Sequence, residues 1–126
     1  MLNTPPVFAV YVCMLTLQWL KLQGGIAAIE KINNEKAGIL YAAIDENPLF
    51  TGTVAVADRS KMNACFVMND PSLETSFLQF AKEQGIVGIK GHRLVGGFRA
   101  SLYNALPISS VTVLTALMKE FALQHA

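Results

Sequence analysis

The sequence predicts an α+β fold: a two-layer small domain in which a mostly antiparallel sheet packs with helices, preceded by a long apolar helix. Three observations lead there. Helical periodicity fills roughly the first third of the 126 residues, short β-rich runs bounded by turn residues follow, and further helical stretches are interleaved with those runs. The order reads as two helices and then β-β-α-β-β-α, the pattern of helices collected on one face of an antiparallel sheet. At this length the whole chain, 1–126, suits one domain that buries its own core.

The elements follow from local signals. Asn3 or Thr4 suits a helix N-cap, and Pro5-Pro6 suits the first turn, where a missing N–H costs little. A helix over 5–22 follows. In its run 7–20 only Thr16 and Gln18 are clearly polar. That run is short of the roughly 20 residues a membrane-spanning helix needs. It reads as a buried helix, apolar on every side, over which something packs. Gly24-Gly25 ends it. A second helix runs to about Ile44, with Ile26, Ile29, Ile32, Ile39, Leu40 and Ile44 on one face and Glu30, Lys31, Asn34 and Glu35 on the other. After a turn at 45–48, residues 50–57 and 62–68 read as strands, separated by the polar 58–61. Asp70-Pro71-Ser72 opens a third helix that Gly85 stops, with Leu73, Phe77, Leu78 and Phe80 as its apolar face. Residues 86–89 and 98–103 read as two strands of a hairpin around a glycine-rich loop, 91–97. A last helix over 110–123 presents Val111, Val113, Leu114, Leu117, Met118 and Phe121.

A net charge of +1 gives no basic stripe for a nucleic acid. The charge is patterned all the same: residues 84–119 contain no Asp or Glu. A local cationic zone in a nearly neutral chain fits a small anion better than a polyanion. With 52% hydrophobic and only 15% charged residues, some apolar surface calls for cover by another domain, a second subunit or a membrane. The start, Met1 to Pro6, lacks the basic region and cleavage site of a secretory signal. Two cysteines, Cys13 and Cys65, are too few for a disulfide framework. Both lie in apolar runs and read as buried, reduced thiols in a cytoplasmic setting. Two histidines and two cysteines, all far apart, make no metal-ligand set.

The cationic zone centres on Lys90-Gly91-His92-Arg93-Leu94-Val95-Gly96-Gly97-Phe98-Arg99. Glycines let backbone N–H groups approach a ligand, and two guanidinium forks with an imidazole can hold a carboxylate and a phosphate together. The same residues also suit a glycine-rich turn with ordinary surface cations. The block is neither GxGxxG nor a P-loop, and it precedes a strand rather than a helix. At the other end, Asn3 and Thr4 before a helix N-terminus are either a plain cap or a phosphate-binding corner. Tyr103 reads as a core residue with a solvated hydroxyl, and Trp19 as packing.

Read in order, Asn3-Thr4-Pro5-Pro6, Gly24-Gly25, Asp58-Arg59-Ser60 with Met62-Asn63, Gly91-His92-Arg93 and Gly96-Gly97-Phe98-Arg99-Ala100-Ser101-Leu102-Tyr103-Asn104-Ala105 resemble one family over essentially the whole chain. The resemblance is to the C-terminal small domain of the phosphoserine aminotransferases, class V, fold-type I enzymes dependent on pyridoxal phosphate. It implies amino transfer between glutamate and 3-phosphohydroxypyruvate, giving 2-oxoglutarate and phosphoserine, in a cytoplasmic homodimer. It implies that Arg99 pairs with the substrate α-carboxylate and that His92 and Arg93 receive the distal phosphate or carboxylate. Asn3 and Thr4 would reach the cofactor phosphate of the neighbouring subunit. The first helix would pack within the dimeric, two-domain body.

One departure is large. The family's Schiff-base lysine belongs to a preceding large domain, and no lysine here matches it; Lys90 lies nearest the cationic block but has no companion carboxylate. The chain then corresponds to roughly the last third of an enzyme, excised or split, and is expected to be inactive alone. Two other readings remain: the small domain of another class V aminotransferase, such as the alanine–glyoxylate type, and a non-enzymatic anion-binding or dimerisation module.

Overall fold

The computed structural model describes residues 3–125; the Met1-Leu2 part of the N-terminal reading lies outside them. The elements are α1 (Val7–Leu22), α2 (Gly25–Glu46), β1 (Phe50–Gly52), β2 (Asn63–Met68), α3 (Glu74–Glu83), β3 (Phe98–Ser101) and α4 (Ile108–Gln124). The chain divides into two compact units, Met1–Ile32 and Asn33–Ala126, with α2 passing from one into the other.

The first unit contains α1. No side chain caps this helix; Pro6, not Asn3 or Thr4, holds the N-cap position. The two prolines account for the difference. Pro5 and Pro6 each fix their own φ, and the Val7 N–H turns back to the Pro5 carbonyl at 2.8 Å. The helix therefore starts beyond the reach of the Asn3 and Thr4 side chains. The expected burial is not met within this chain: α1 has no buried residue, and Phe8 is 81% exposed. Cys13, expected inside, is exposed as well. No single helix among the described residues is long and apolar enough to cross a membrane.

The second unit is the two-layer α+β body. The sheet has three strands in the order β1-β2-β3, antiparallel throughout, with Phe50 opposite Met68, Cys65 opposite Arg99 and Phe66 opposite Phe98. Alternation sets the two faces of β2 and β3. Ala64, Phe66, Met68, Phe98 and Ala100 point inward, and Cys65, Arg99 and Ser101 point outward. The inward face joins Leu40 and Ile44 of α2, Phe77 and Ala81 of α3, and Val111, Leu114, Met118 and Phe121 of α4 in one core. Phe77 sits at its centre, its ring 5.0–5.2 Å from those of Phe50, Phe98 and Phe121 in edge-on geometry.

Two sequence expectations shrink. Residues 50–57 form a strand only over 50–52, and the chain then turns into a 3₁₀ helix at Val56–Asp58. Residues 86–89 form no strand; only Lys90 bridges to Phe98. Gly88 has a φ of 77°, which breaks the extended backbone there. The third helix opens as read, except that Asp70 caps a 3₁₀ turn ahead of α3 by accepting from the Ser72 N–H at 2.9 Å.

Candidate functional site

The glycine-rich loop is a tightly closed hairpin. The Gly91 N–H donates to the Gly97 carbonyl and the Arg99 N–H to the Ile89 carbonyl, each at 2.8 Å. At its tip the His92 carbonyl accepts from both Val95 and Gly96, at 2.9 and 2.8 Å. Two glycines are required by close approach. A Cβ on Gly91 would run into the Gly96 carbonyl oxygen. A Cβ on Gly97, at a φ of +61°, would lie 2.7 Å from both the Phe66 carbonyl oxygen and Val67 Cγ1.

This closure brings His92, Arg93 and Arg99 into one hairpin, all three exposed. His92 and Arg93 stand at the tip. Arg99 stands on the outward face of β3, opposite Cys65 and two residues past Gly97. His92 Nδ1 accepts from the Leu94 N–H at 3.3 Å, which leaves Nε2 as the ring nitrogen free to donate outward. Among the described residues the only salt bridge is Arg59–Asp45, so no carboxylate pairs with Arg93 or Arg99 or caps the His92 ring. Beside Arg99 a cavity of about 420 Å³ opens between the segment 84–89, β3 and the start of α4. That is within the range of small-molecule sites. Asn3 and Thr4 are exposed and lie in the other compact unit. Among the described residues no three His, Cys, Asp or Glu side chains group as metal ligands. Tyr103, expected in the core, is 57% exposed beside this region.

Arg59, from the Asp58-Arg59-Ser60 motif, is committed elsewhere. Its guanidinium forks onto Asp45 at 2.6 and 2.7 Å and lies 4.6 Å over the Tyr41 ring. The Arg59 hydrogen bond, helped by its charge, holds the Asp45 carboxyl below its usual pKa.

Sequence reasoning missed one group that shapes the region. Lys36 of α2 is completely buried, and its Nζ donates to the carbonyls of Leu102, Tyr103 and Leu106 at 3.1, 2.8 and 3.1 Å. Burial lowers its pKa from the usual lysine value. Nearby, Asn33 Nδ2 donates to Asn104 Oδ1 at 2.8 Å. The signal was present: Asn33 and Lys36 fall in phase with the buried Ile29, Ala37, Leu40 and Ile44, two polar residues inside a core-facing stripe.

Comparison with known proteins gives a consistent set. The family model for class-V aminotransferases matches residues 1–114. The phosphoserine aminotransferase of Parabacteroides distasonis is 62% identical over 127 aligned residues, covering 99% of this chain and 36% of the relative. The solved phosphoserine aminotransferase from Bacillus circulans subsp. alkalophilus is 39% identical, with a TM-score of 0.94, over 98% of this chain and 35% of that one. The pyridoxal-phosphate-bound phosphoserine aminotransferase of Trichomonas vaginalis is 40% identical, with a TM-score of 0.87, over 94% and 34%. The chain thus spans about a third of the length of the relatives it matches.

Proposed function

The chain belongs to the class-V aminotransferase family, and we propose that it is the substrate-recognition domain of a phosphoserine aminotransferase. The reaction exchanges the amino group of glutamate with the keto oxygen of 3-phosphohydroxypyruvate, leaving 2-oxoglutarate and phosphoserine. The observation that carries this reading is the closed hairpin that presents His92, Arg93 and Arg99 without a neutralising carboxylate. Both substrates carry two anionic groups, a carboxylate at one end and a second carboxylate or a phosphate at the other. Arg99 takes the α-carboxylate with its planar fork. Arg93, with His92 donating through Nε2, takes the distal anion. A site with two such receptors favours molecules charged at both ends and leaves its cations unpaired with others.

Pyridoxal phosphate, when bound, supplies the electron sink for amino transfer. The start of α1 fits its phosphate chemically: the Thr4 hydroxyl, the Asn3 amide and a helix terminus that no side chain caps. We assign these residues to the cofactor phosphate of the neighbouring subunit in a homodimer. The lysine that anchors the cofactor belongs to a large domain outside these 126 residues, so the chain alone is expected to have no transaminase activity. The exposed apolar α1 is the surface that this larger body covers.

The test uses the complete aminotransferase carrying this domain. Arg99→Ala raises KM for both glutamate and the phosphorylated keto acid, by about a hundredfold for a lost charged pairing. His92→Ala and Arg93→Ala impair the phosphorylated substrate at least as much as glutamate. Unchanged kinetics in all three remove the assignment. Equal use of uncharged amino acids would move the chain to another class-V activity.

A further inference from the structure

The mechanism proposed above makes no use of Lys36, although it is among the largest fully buried side chains of the protein. Its three acceptors are all main-chain carbonyls of one connection, the segment between β3 and α4. Three acceptors match the three N–H groups of an ammonium; a neutral amine has only two. Among the described residues no carboxylate pairs with it, so converging carbonyl dipoles are what balance the charge. An apolar side chain of similar length would fill the same space without the desolvation cost. What the ammonium adds is geometry, because only a cation draws three carbonyls toward one point.

Those carbonyls are tied into the candidate site. The Leu102 N–H donates to the Met62 carbonyl at 2.7 Å, at the entry to β2, and the Leu106 N–H donates to the Tyr103 carbonyl at 2.9 Å. Ser101 Oγ donates to Asn63 Oδ1 at 3.2 Å, on the same outward face as Arg99. The Asn33–Asn104 bond adds a second tie from α2 to the same turn. Leu102, whose carbonyl Lys36 holds, lies three residues past Arg99 and also lines the cavity beside it.

We infer that Lys36 is a positioning residue for substrate binding: its buried ammonium gathers the 102–106 carbonyls and thereby fixes the end of β3 in the geometry that aims Arg99. This rests on the reading of Arg99 as the carboxylate ligand. The experiment is a double-mutant cycle in the complete enzyme with Lys36→Met and Arg99→Ala. Lys36→Met should raise KM for both substrates about tenfold with kcat little changed. In the Arg99→Ala background the same change should add almost nothing, because Lys36 acts through Arg99. Full additivity, or an unchanged KM in Lys36→Met while Arg99→Ala raises it, overturns the inference alone. An Arg99→Ala enzyme with unchanged KM removes the functional reading as well. Should Lys36→Met fail to fold, nitrogen-15 NMR of the unsubstituted enzyme decides. Slowly exchanging Lys36 ammonium protons with couplings to the carbonyl carbons of Leu102, Tyr103 and Leu106 support it, and a fast-exchanging, uncoupled amine overturns it.

Discussion

Gly97 shows how one residue sets the site. Its positive φ and the contact a Cβ would make with the Phe66 backbone leave no room for a side chain, whereas Gly96 has the same handed backbone but open space around it. Gly97→Ala should therefore cost about 3 kcal/mol, and Gly96→Ala about 1 kcal/mol. Chemical-denaturation midpoints measure both, and equal losses would contradict the packing argument. The glycine block and its cations were legible in the sequence as a pattern. That Gly97 is pressed against β2 was not, since Phe66 and Val67 lie some thirty residues away along the chain.

Among the elements, α2, α3 and α4 were readable because their apolar residues repeat at helical spacing. The 86–89 segment misled because its isoleucines and valine suit a strand locally, while two glycines with positive φ, Gly85 and Gly88, take the backbone out of the extended region. The tie between α2 and the loop before β2 is the Asp45–Arg59 pair, and it carries a pH dependence. Asp45 titrates below its usual 3.8, chiefly because Arg59 hydrogen-bonds to the ionised form. The folded state therefore releases this proton more readily than the unfolded chain does. The contribution of the pair is complete above pH 3.8 and is lost as pH falls below that value through the folded pKa. Asp45 is 47% exposed, so solvent screens the pair and its worth stays below about 1 kcal/mol. Asp45→Asn should lower stability by that small amount at pH 7 and by less at pH 2. Urea melts at the two pH values check it.

At the scale of the whole molecule, stability rests on the aromatic core, and Phe77 touches three other rings in it. Phe77→Ala should cost about 3–5 kcal/mol, enough to abolish a cooperative melt in a marginal domain. The apolar α1 is the opposite case. Val10 is 60% and Leu17 58% exposed, on a face that also carries Cys13 and Met14. Taken alone, the 126-residue chain should self-associate, and Val10→Lys with Leu17→Lys should shift it toward monomer in sedimentation velocity. The high hydrophobic content foretold uncovered apolar surface. The apolar run 7–20 foretold that something packs over this helix; that none of α1 is buried within the described residues was decided by the tertiary structure.

The sequence alone determined the fold class, the four helices, and a cationic hairpin whose motif order points to one enzyme family. These are local properties: periodicity, turn chemistry and spacing are written into neighbouring residues. Only the tertiary structure decided that Arg99 faces out opposite Cys65, that Arg59 is consumed by Asp45, and that Lys36 anchors the turn beyond β3. Each of those depends on groups brought together from distant parts of the chain. A buried charge reveals its role only once its acceptors are in place.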